Sequence, residues 1–569
     1  MDEPAAPGRE TLGNLNLRSA AALIGGLVEG GAKRAVISPG SRSSPLALAA
    51  DLCPALQTEV LPDERCAAFF ALGQARAENR PVIVIATSGT APANWYPALI
   101  EASMDGVPLV LISADRPEEL RQTGANQTVD QDRMFGAYPR EYYRLPAPPG
   151  PGLEFYASTG RRAADKTLWP RPGPVHVNAA FREPLMPDPD EKAPEWKSAD
   201  SPVRQHPRIV PDPQTTDWLE QSVSAGPGVI VCGRSDYSPD FAARLTDLAD
   251  RLRCPIIADP LSNLRWGPHS RDRIMTAADL FLRRSAGGPR ADWVLQFGAV
   301  PTSRPVQDWI GEQGDRLIPV VQAGDWPDLS RHSSIAVHGD PGSVVQGLLE
   351  RNISQGDEAW CQYWSALDEA ARSLLDEPDL RPPEANLVDA IETRLPADTS
   401  LFVGSSMPIR AFDAFATGRT ERLTAFGNRG ASGIDGCVST VAGLGSCGPT
   451  LGVIGDLALY HDMNGLLAAA GTDTRLVVIE NGGGAIFGLL PPGQHPRFER
   501  LWRTPTRLAC ERIAGLYSLP YRLVRESEPL EDIASLPDPG QGLQLVEFRI
   551  DAETSWTRHR NLWQAAAGI

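Results

Sequence analysis

Two consecutive stretches decide the fold: LGVIGDLALYHDMNGLL, residues 451–467, and RLVVIENGGGAIFGLLP, residues 475–491. Each opens on a short apolar run and stops in a polar turn, Gly455-Asp456 in the first and Glu480-Asn481 in the second. Such runs read as strands buried on both faces, hence as neighbours in a parallel sheet covered by helices. The interval between them holds one helical crossover, so both turns fall at carboxyl ends of strands, where open α/β sheets form their crevices. A carboxylate from Asp456 and an amide oxygen from Asn481 suit a hard cation, Mg²⁺, whose other ligands come from a diphosphate. The glycines at 482–484 let the backbone approach closely and lend a carbonyl. A GD turn alone is ordinary βα punctuation. Strand, GD, helix, strand and ENGGG together are not.

The same pattern recurs along the whole chain. RAVISPG, PVIVIATSGT, PLVLISADR and GPVHVNAA precede two Pro- and charge-rich stretches, residues 182–213 and 374–387, that read as linkers. Between the linkers lie GVIVCGR, PIIADP, WVLQFGA and LIPVVQAG, and after them LFVGSS accompanies the two opening stretches and LQLVEFRI. The expected architecture is α/β, with three doubly wound parallel-sheet domains at 1–186, 205–370 and 380–569. A length of 569 residues, too great for one core, agrees. With 22% charged residues and a net charge of −17, the chain is ordinary globular material and a poor match for nucleic acid or an anionic membrane. Its eight cysteines show no CxxC pair, and the acidic start MDEPAAPGRE has no signal-peptide build. No apolar run reaches the roughly 18 residues of a membrane span. A cytoplasmic protein with reduced thiols is expected.

The Gly455-Asp456…Asn481 pattern resembles the signature of thiamine diphosphate-dependent enzymes, with Glu480 where many members carry a second Asn. The resemblance implies the thiamine diphosphate-binding fold: a pyrimidine-binding domain first, a central α/β domain, and a diphosphate/Mg-binding domain last. It assigns Mg²⁺ (or Mn²⁺) to Asp456, Asn481 and the Gly483 carbonyl. It sets Ser405, Ser406, Met407, Leu457 and Ile486 beside the cofactor. In GNRGASGIDGCVSTVAGL it makes Ile434 the apolar buttress of a bent cofactor. In LPDERCAAFFALGQARA it makes Glu64 the carboxylate that protonates N1′ of the aminopyrimidine, across the interface of a homodimer or homotetramer.

Arginines at the remaining strand ends point to anionic substrates. ISPGSRSSPL sets Ser41 and Arg42 before a helix, with Ser44 as the expected N-cap and Pro45 at N1. SADRPEELRQTGANQ adds Arg116, Asn126 and Gln127; GSSMPIR adds Ser406 and Arg410; GNRG adds Arg429. A guanidinium fork with amide donors is a carboxylate site, and several such groups suit substrates with several carboxylates. These segments resemble the carboligases of quinone synthesis. Those decarboxylate 2-oxoglutarate and add its four-carbon unit to isochorismate in a 1,4 sense. The resemblance gives the donor carboxylates to Arg410 and Arg429. It gives the acceptor to Ser41, Arg42, Arg116, Asn126 and Gln127, with Gln127 also ordering proton transfers, and through PTSRP it makes Arg304 a further substrate contact. Ile486, Phe487 and Leu490 would wall out water. An acetolactate-type carboligase acting on pyruvate, or a non-catalytic protein that kept the fold, stays open at this point.

Overall fold

Eighteen strands among the described residues form three six-stranded sheets in which every pairing is parallel. The computed structural model describes residues 11–196, 206–283, 288–322, 326–333, 335–506, 509–538 and 540–569. The MDEPAAPGRE start and residues 197–205 of the first Pro-rich stretch lie outside the described residues. The first sheet comprises β1 Arg34–Ile37, β2 Gln57–Val60, β3 Val82–Ala86, β4 Leu109–Asp115, β5 Tyr142–Leu145 and β6 Val175–Ala180, in the order β2-β1-β3-β4-β6-β5. The second comprises β7 Gly228–Cys232, β8 Ile256–Ala258, β9 Ile274–Met275, β10 Trp293–Phe297, β11 Leu317–Val321 and β12 Val337–His338, ordered β12-β11-β10-β7-β8-β9. The third comprises β13 Thr399–Val403, β14 Leu423–Phe426, β15 Thr450–Gly455, β16 Thr474–Glu480, β17 Tyr521–Arg525 and β18 Gln544–Arg549, ordered β14-β13-β15-β16-β18-β17. This is the doubly wound α/β architecture expected.

In such sheets the chain reverses its direction of winding once, and the crevice opens there, beyond the carboxyl ends of the two strands concerned. In the first sheet the reversal falls between β1 and β3, and in the third between β13 and β15. In the second it falls between β7 and β10, where the half-buried Tyr237 donates its hydroxyl to the Gly233 carbonyl at 2.9 Å and packs against Gly298.

Packing divides the chain differently from its strands. One compact unit takes the described residues up to His206 together with Asn428–Cys447 and His461–Thr472; the other takes Pro207–Gly427, Gly448–Tyr460 and Asp473–Ile569. Within the first unit the helix Cys437–Gly445 lies on the helix Glu64–Glu78 at close range. An added Cβ would come within 2.3 Å of the Thr440 carbonyl at Gly73 and within 2.0 Å of the Phe70 carbonyl at Gly443.

Three local expectations are corrected. The helix after β1 runs Ser44–Asp51 with Ser43 as its N-cap, so Ser44 is its first residue and not its cap. The Pro-rich stretch from Arg182 is strapped along the helix Leu12–Glu29: Asn16 donates to the carbonyls of Arg182 and Pro184, and Asn14 pairs with Asp188. Carbonyls left unused by a Pro-rich backbone are free to accept such bonds. The second stretch is not linker throughout, because Pro383 starts the helix Pro383–Arg394, and proline at a helix N-terminus needs no donor. All eight cysteines are free thiols, and among the described residues no helix is long and apolar enough to cross a membrane.

Candidate active site

In the second unit, the turns after β13, β15 and β16 carry the cofactor motif. Gly404 donates its N–H to the Val453 carbonyl at 2.8 Å, which brings the Ser405-Ser406-Met407 turn beside Gly455-Asp456-Leu457. Ser406 sits at φ 74°, ψ −133°, a strained backbone for a side-chain-bearing residue, as it enters the helix Met407–Phe415. Its carbonyl accepts Arg410 Nη1 at 2.7 Å, with Arg410 exposed. Asp456 Oδ1 accepts the Leu457 N–H at 2.8 Å, and Oδ2 accepts the Gly483 N–H at 2.7 Å. Gly482 and Gly483 have φ of 80° and 114°, conformations glycine reaches at little cost. The two strand ends are thus tied through the proposed ligand itself.

Two features here fit a hard cation. Asn481 Oδ1 is buried with no hydrogen-bond partner, a costly state for an amide oxygen unless something electropositive meets it. Burial pushes the Asp456 carboxyl up to about 6, against the pull of the Leu457 and Gly483 amides, so its charge lacks compensation from the protein. A cation would supply it. Among the described residues no group of three His, Cys, Asp or Glu side chains could hold a metal. A cavity of about 170 Å³ opens beside Asp456, lined also by Glu480, Gly482, Thr506 and Cys510. Glu480, the departure from the family pattern, accepts the Gly482 N–H at 3.1 Å and pairs with Arg549 at 3.4 Å, so it braces the glycine turn. Beyond it, Ile486 and Phe487 lie in the turn Ala485–Leu489; Phe487 packs on a small core with Phe498 and Trp556, while Leu490 is exposed. Arg304 begins the helix Arg304–Gln313 after β10, is 79% exposed, and pairs with Asp308, apart from the β13–β15 turns.

In the first unit, the expected acceptor residues gather at the reversal between β1 and β3. Arg42 is buried, donating Nη1 to the Phe181 carbonyl at 2.9 Å and Nη2 to Glu183 at 2.8 Å, and its Nε is buried without a partner. Arg116 donates to Ser88 Oγ and, at 2.8 Å, to the Gln127 carbonyl. Burial, and then the like charge of Arg42, lower the Arg116 guanidinium. Two buried cations that repel each other are a poor arrangement for the protein alone and a good one for a bound anion. Gln127, at φ 50°, bonds the Ser88 carbonyl at 3.0 Å; Asn126 beside it is exposed, as is Ser41.

Glu64 opens the helix Glu64–Glu78 behind the N-cap Asp63, is half-buried, and makes no hydrogen bond or ion pair among the described residues. The helix start is fixed around it. Asn464 donates to Asp63 Oδ2 at 3.0 Å, Arg65 to the His461 carbonyl at 2.9 Å, and Cys66 lies 3.6 Å from Asp462, whose carboxylate caps Ser439 at 2.6 Å. Arg429 and Ile434 are half-buried in the segment leading to the helix Cys437–Gly445.

Sequence reasoning missed the supports. Gln131 Oε1 accepts the Gly89 N–H at 2.9 Å while its Nε2 bonds the Ala114 carbonyl and Asn178, and Asn178 in turn bonds Ser113 and Asp115. This buried network ties the Gln127 loop to β4 and β6. His176 within it is pushed down to about 3 by burial, so it stays a neutral partner of Ser113. Glu101 is a second such support. Its one signal is a lone acid inside the otherwise apolar helical run YPALIEASM.

Three doubly wound parallel sheets, with a carboxylate, an orphaned amide oxygen and a glycine turn at adjacent strand ends, define a thiamine diphosphate-dependent enzyme. Family models agree: residues 17–134 match the thiamine pyrophosphate enzyme N-terminal TPP binding domain, and residues 191–403 the middle domain of thiamine pyrophosphate enzymes. The 2-succinyl-5-enolpyruvyl-6-hydroxy-3-cyclohexene-1-carboxylate synthase of Dechloromonas aromatica is 39% identical, covering 95% of this chain and 99% of its own. The proteins of that name from Geobacillus kaustophilus and Haloarcula marismortui are 39% and 37% identical, each covering 96% of this chain and 97% of its own. The chain belongs to the 2-succinyl-5-enolpyruvyl-6-hydroxy-3-cyclohexene-1-carboxylate synthase family, and is an enzyme of the carboligase type.

Proposed function

We propose that the chain decarboxylates 2-oxoglutarate and adds its succinyl unit to isochorismate in a 1,4 sense. The product would be 2-succinyl-5-enolpyruvyl-6-hydroxy-3-cyclohexene-1-carboxylate, for menaquinone or phylloquinone synthesis in the cytoplasm. The observation that carries the choice of substrates is the buried pair Arg42 and Arg116, which calls for an anion at the first sheet's reversal. Glu183 pairs with Arg42 on one side only, and a neutral acceptor would leave the repulsion between the two guanidiniums unrelieved.

When bound, thiamine diphosphate supplies the electron sink on which a 2-oxo acid loses CO₂ and its acyl carbon becomes nucleophilic. Asp456, Asn481 and the Gly483 carbonyl would hold Mg²⁺ (or Mn²⁺) against the diphosphate, with Ser405, Ser406, Met407, Leu457, Ile434 and Ile486 around the rest of the cofactor. Glu64, left without a competing partner, would share its proton with N1′ of the aminopyrimidine. Arg410 and Arg429 bind the donor carboxylates. Ser41, Arg42, Arg116, Asn126 and Gln127 bind the acceptor, with Arg304 an outer contact. Gln127 orients the acceptor through an amide that neither gains nor loses a proton. Ile486 and Phe487 keep water from the reacting carbon. The domains at 1–186, 205–370 and 380–569 are proposed as pyrimidine-binding, central and diphosphate-binding, in a homodimer or homotetramer with sites at the subunit interface.

Mass spectrometry of the product from 2-oxoglutarate plus isochorismate, with thiamine diphosphate and Mg²⁺, tests this. Turnover of pyruvate in place of 2-oxoglutarate would make the chain an acetolactate-type carboligase. Failure to release CO₂ from either acid would make it non-catalytic.

A further inference from the structure

The proposed donor arginine, Arg429, sits in a glycine-rich segment, GNRGASGIDG, that has little side-chain bulk with which to hold its own shape. Its backbone is held from outside. Glu101, 2% exposed on the helix Tyr96–Asp105, accepts the Gly430 N–H on Oε1 at 2.8 Å and the Ala431 N–H on Oε2 at 2.6 Å. One carboxylate thus takes the two amides that directly follow Arg429. The approach is close as well, since a Cβ on Gly430 would lie 2.6 Å from the Glu101 carbonyl and 3.0 Å from Asp105 Cβ.

A buried carboxylate is expensive unless paired. The pairing comes from Arg76 in the last turn of the helix Glu64–Glu78, whose Nη2 meets Glu101 Oε1 at 2.9 Å and whose Nη1 meets Asp105. Both side chains are nearly buried, at 8% and 3% exposure. Arg76 therefore neutralises Glu101 without competing for its second oxygen. The far end of the same segment is pinned independently: Gly436 lies against the Phe69 ring, and Asp462 caps the following helix through Ser439. With that end fixed, Glu101 sets the course of the backbone at residues 429–431.

We propose that Glu101 is a positioning residue for the donor, fixing the backbone from which Arg429 reaches the 2-oxoglutarate carboxylate. The inference rests on the donor role of Arg429 in the proposed function. The helix of Glu101 packs its other residues into the core, with Ala98, Leu99 and Ala102 fully buried, so a purely structural glutamate is the competing account. The two differ in what they change. A structural role lowers stability and leaves substrate discrimination alone; a positioning role acts through Arg429 alone.

The test is Glu101→Gln, alone and combined with Arg429→Ala, in the full chain. An amide can accept only one of the two N–H groups and turns its own NH₂ on the other. Glu101→Gln is expected to raise KM for 2-oxoglutarate about 10-fold, the scale on which small displacements of a substrate clamp act. The KM for isochorismate should stay within about twofold. In the Arg429→Ala background the same change should add nothing. Hydrogen–deuterium exchange should rise in residues 428–436, with or without cofactor, and stay unchanged in the neighbouring strands. Glu101→Asp keeps the charge beside Arg76 but shortens the reach, so it separates loss of grip from loss of fold, and should reproduce the KM effect. Effects of Glu101→Gln and Arg429→Ala that multiply would overturn the proposal, as would wild-type kinetics for Glu101→Asp and Glu101→Gln. Wild-type use of 2-oxoglutarate by Arg429→Ala would instead overturn the donor assignment itself, and a loosened 428–436 segment in the exchange data would identify that case.

Discussion

Asp456→Asn should make the cofactor-free chain relatively more stable as pH rises, and the cofactor should reverse the ranking. Burial holds the Asp456 carboxyl at about 6. Against an ordinary aspartate near 3.9, that displacement corresponds to about 3 kcal/mol once the pH is above both values. The sign follows from the direction. A group raised in the folded state contributes fully below its unfolded value, and its contribution is lost as pH rises through the folded one. Wild type should therefore lose up to about 3 kcal/mol relative to Asp456→Asn between pH 4 and pH 8. The asparagine has its own cost, because it can accept only one of the N–H groups of Leu457 and Gly483. That penalty, about 1–3 kcal/mol, does not vary with pH and moves the curves apart without changing their difference in slope. Chemical denaturation across a pH series, without cofactor, reads the slope directly. Adding thiamine diphosphate and Mg²⁺ at about 100 times the dissociation constant should stabilise wild type by roughly 2.7 kcal/mol and the variant by little. Parallel pH curves would refute the claim that the carboxylate waits uncompensated, and an equal cofactor effect in both chains would refute its role as a metal ligand.

Glu64→Gln should lower carboligation by roughly 10²- to 10⁴-fold while cofactor binding stays measurable, since the amide keeps its shape but has no acid proton to give; turnover within threefold of wild type would reject that assignment. Arg410→Ala and Arg429→Ala should slow the decarboxylation of 2-oxoglutarate, whereas Arg42→Ala and Arg116→Ala should spare it and impair use of isochorismate, each by roughly 10- to 150-fold. Single-turnover CO₂ release against product formation separates the two, and the opposite pattern would exchange the subsites. Gly443→Val should cost several kcal/mol in a melting experiment, because its first added carbon meets the Phe70 carbonyl at 2.0 Å and backbone cannot step aside. An unchanged melting temperature would reject that close packing.

What the sequence disclosed and what it hid follow one physical line. The twelve runs recognised as strands are the four inner strands of each sheet, whereas β2, β5, β9, β12, β14 and β17, which went unrecognised, are the six edges. An inner parallel strand is apolar on both faces, as β3 and β4 are; an edge strand such as β2, QTEV, is half solvated and looks like any loop. The site was legible for a related reason. The candidate residues Asp456, Asn481 and Arg42 stand in short turns after inner strands, so finding the strand locates them. Glu101 holds the Gly430-Ala431 backbone from a neighbouring helix, and Gln131, backed by Asn178 on β6, holds Gly89 from a distant loop; pairings at such separations leave no local pattern. Ser406 at positive φ was likewise invisible, since only glycine and asparagine advertise that conformation.

The composition of the first unit sets a timetable for making the protein. The helix Glu64–Glu78 is among the first elements to be synthesised, yet the partner that covers its small-residue stripe, Cys437–Gly445, comes far later; Gln74 alone bonds a serine 372 residues downstream. At ordinary translation speeds of about 5–20 residues per second, the early helix waits roughly 20 to 75 seconds for its cover. Until then Phe69 and the surface around Gly73 lack that cover on a nascent chain whose first sheet can already be complete. Such a chain is a natural client for a chaperone that shields one apolar helix face. A fragment cut at the end of the first sheet would keep its strands and still carry that face uncovered.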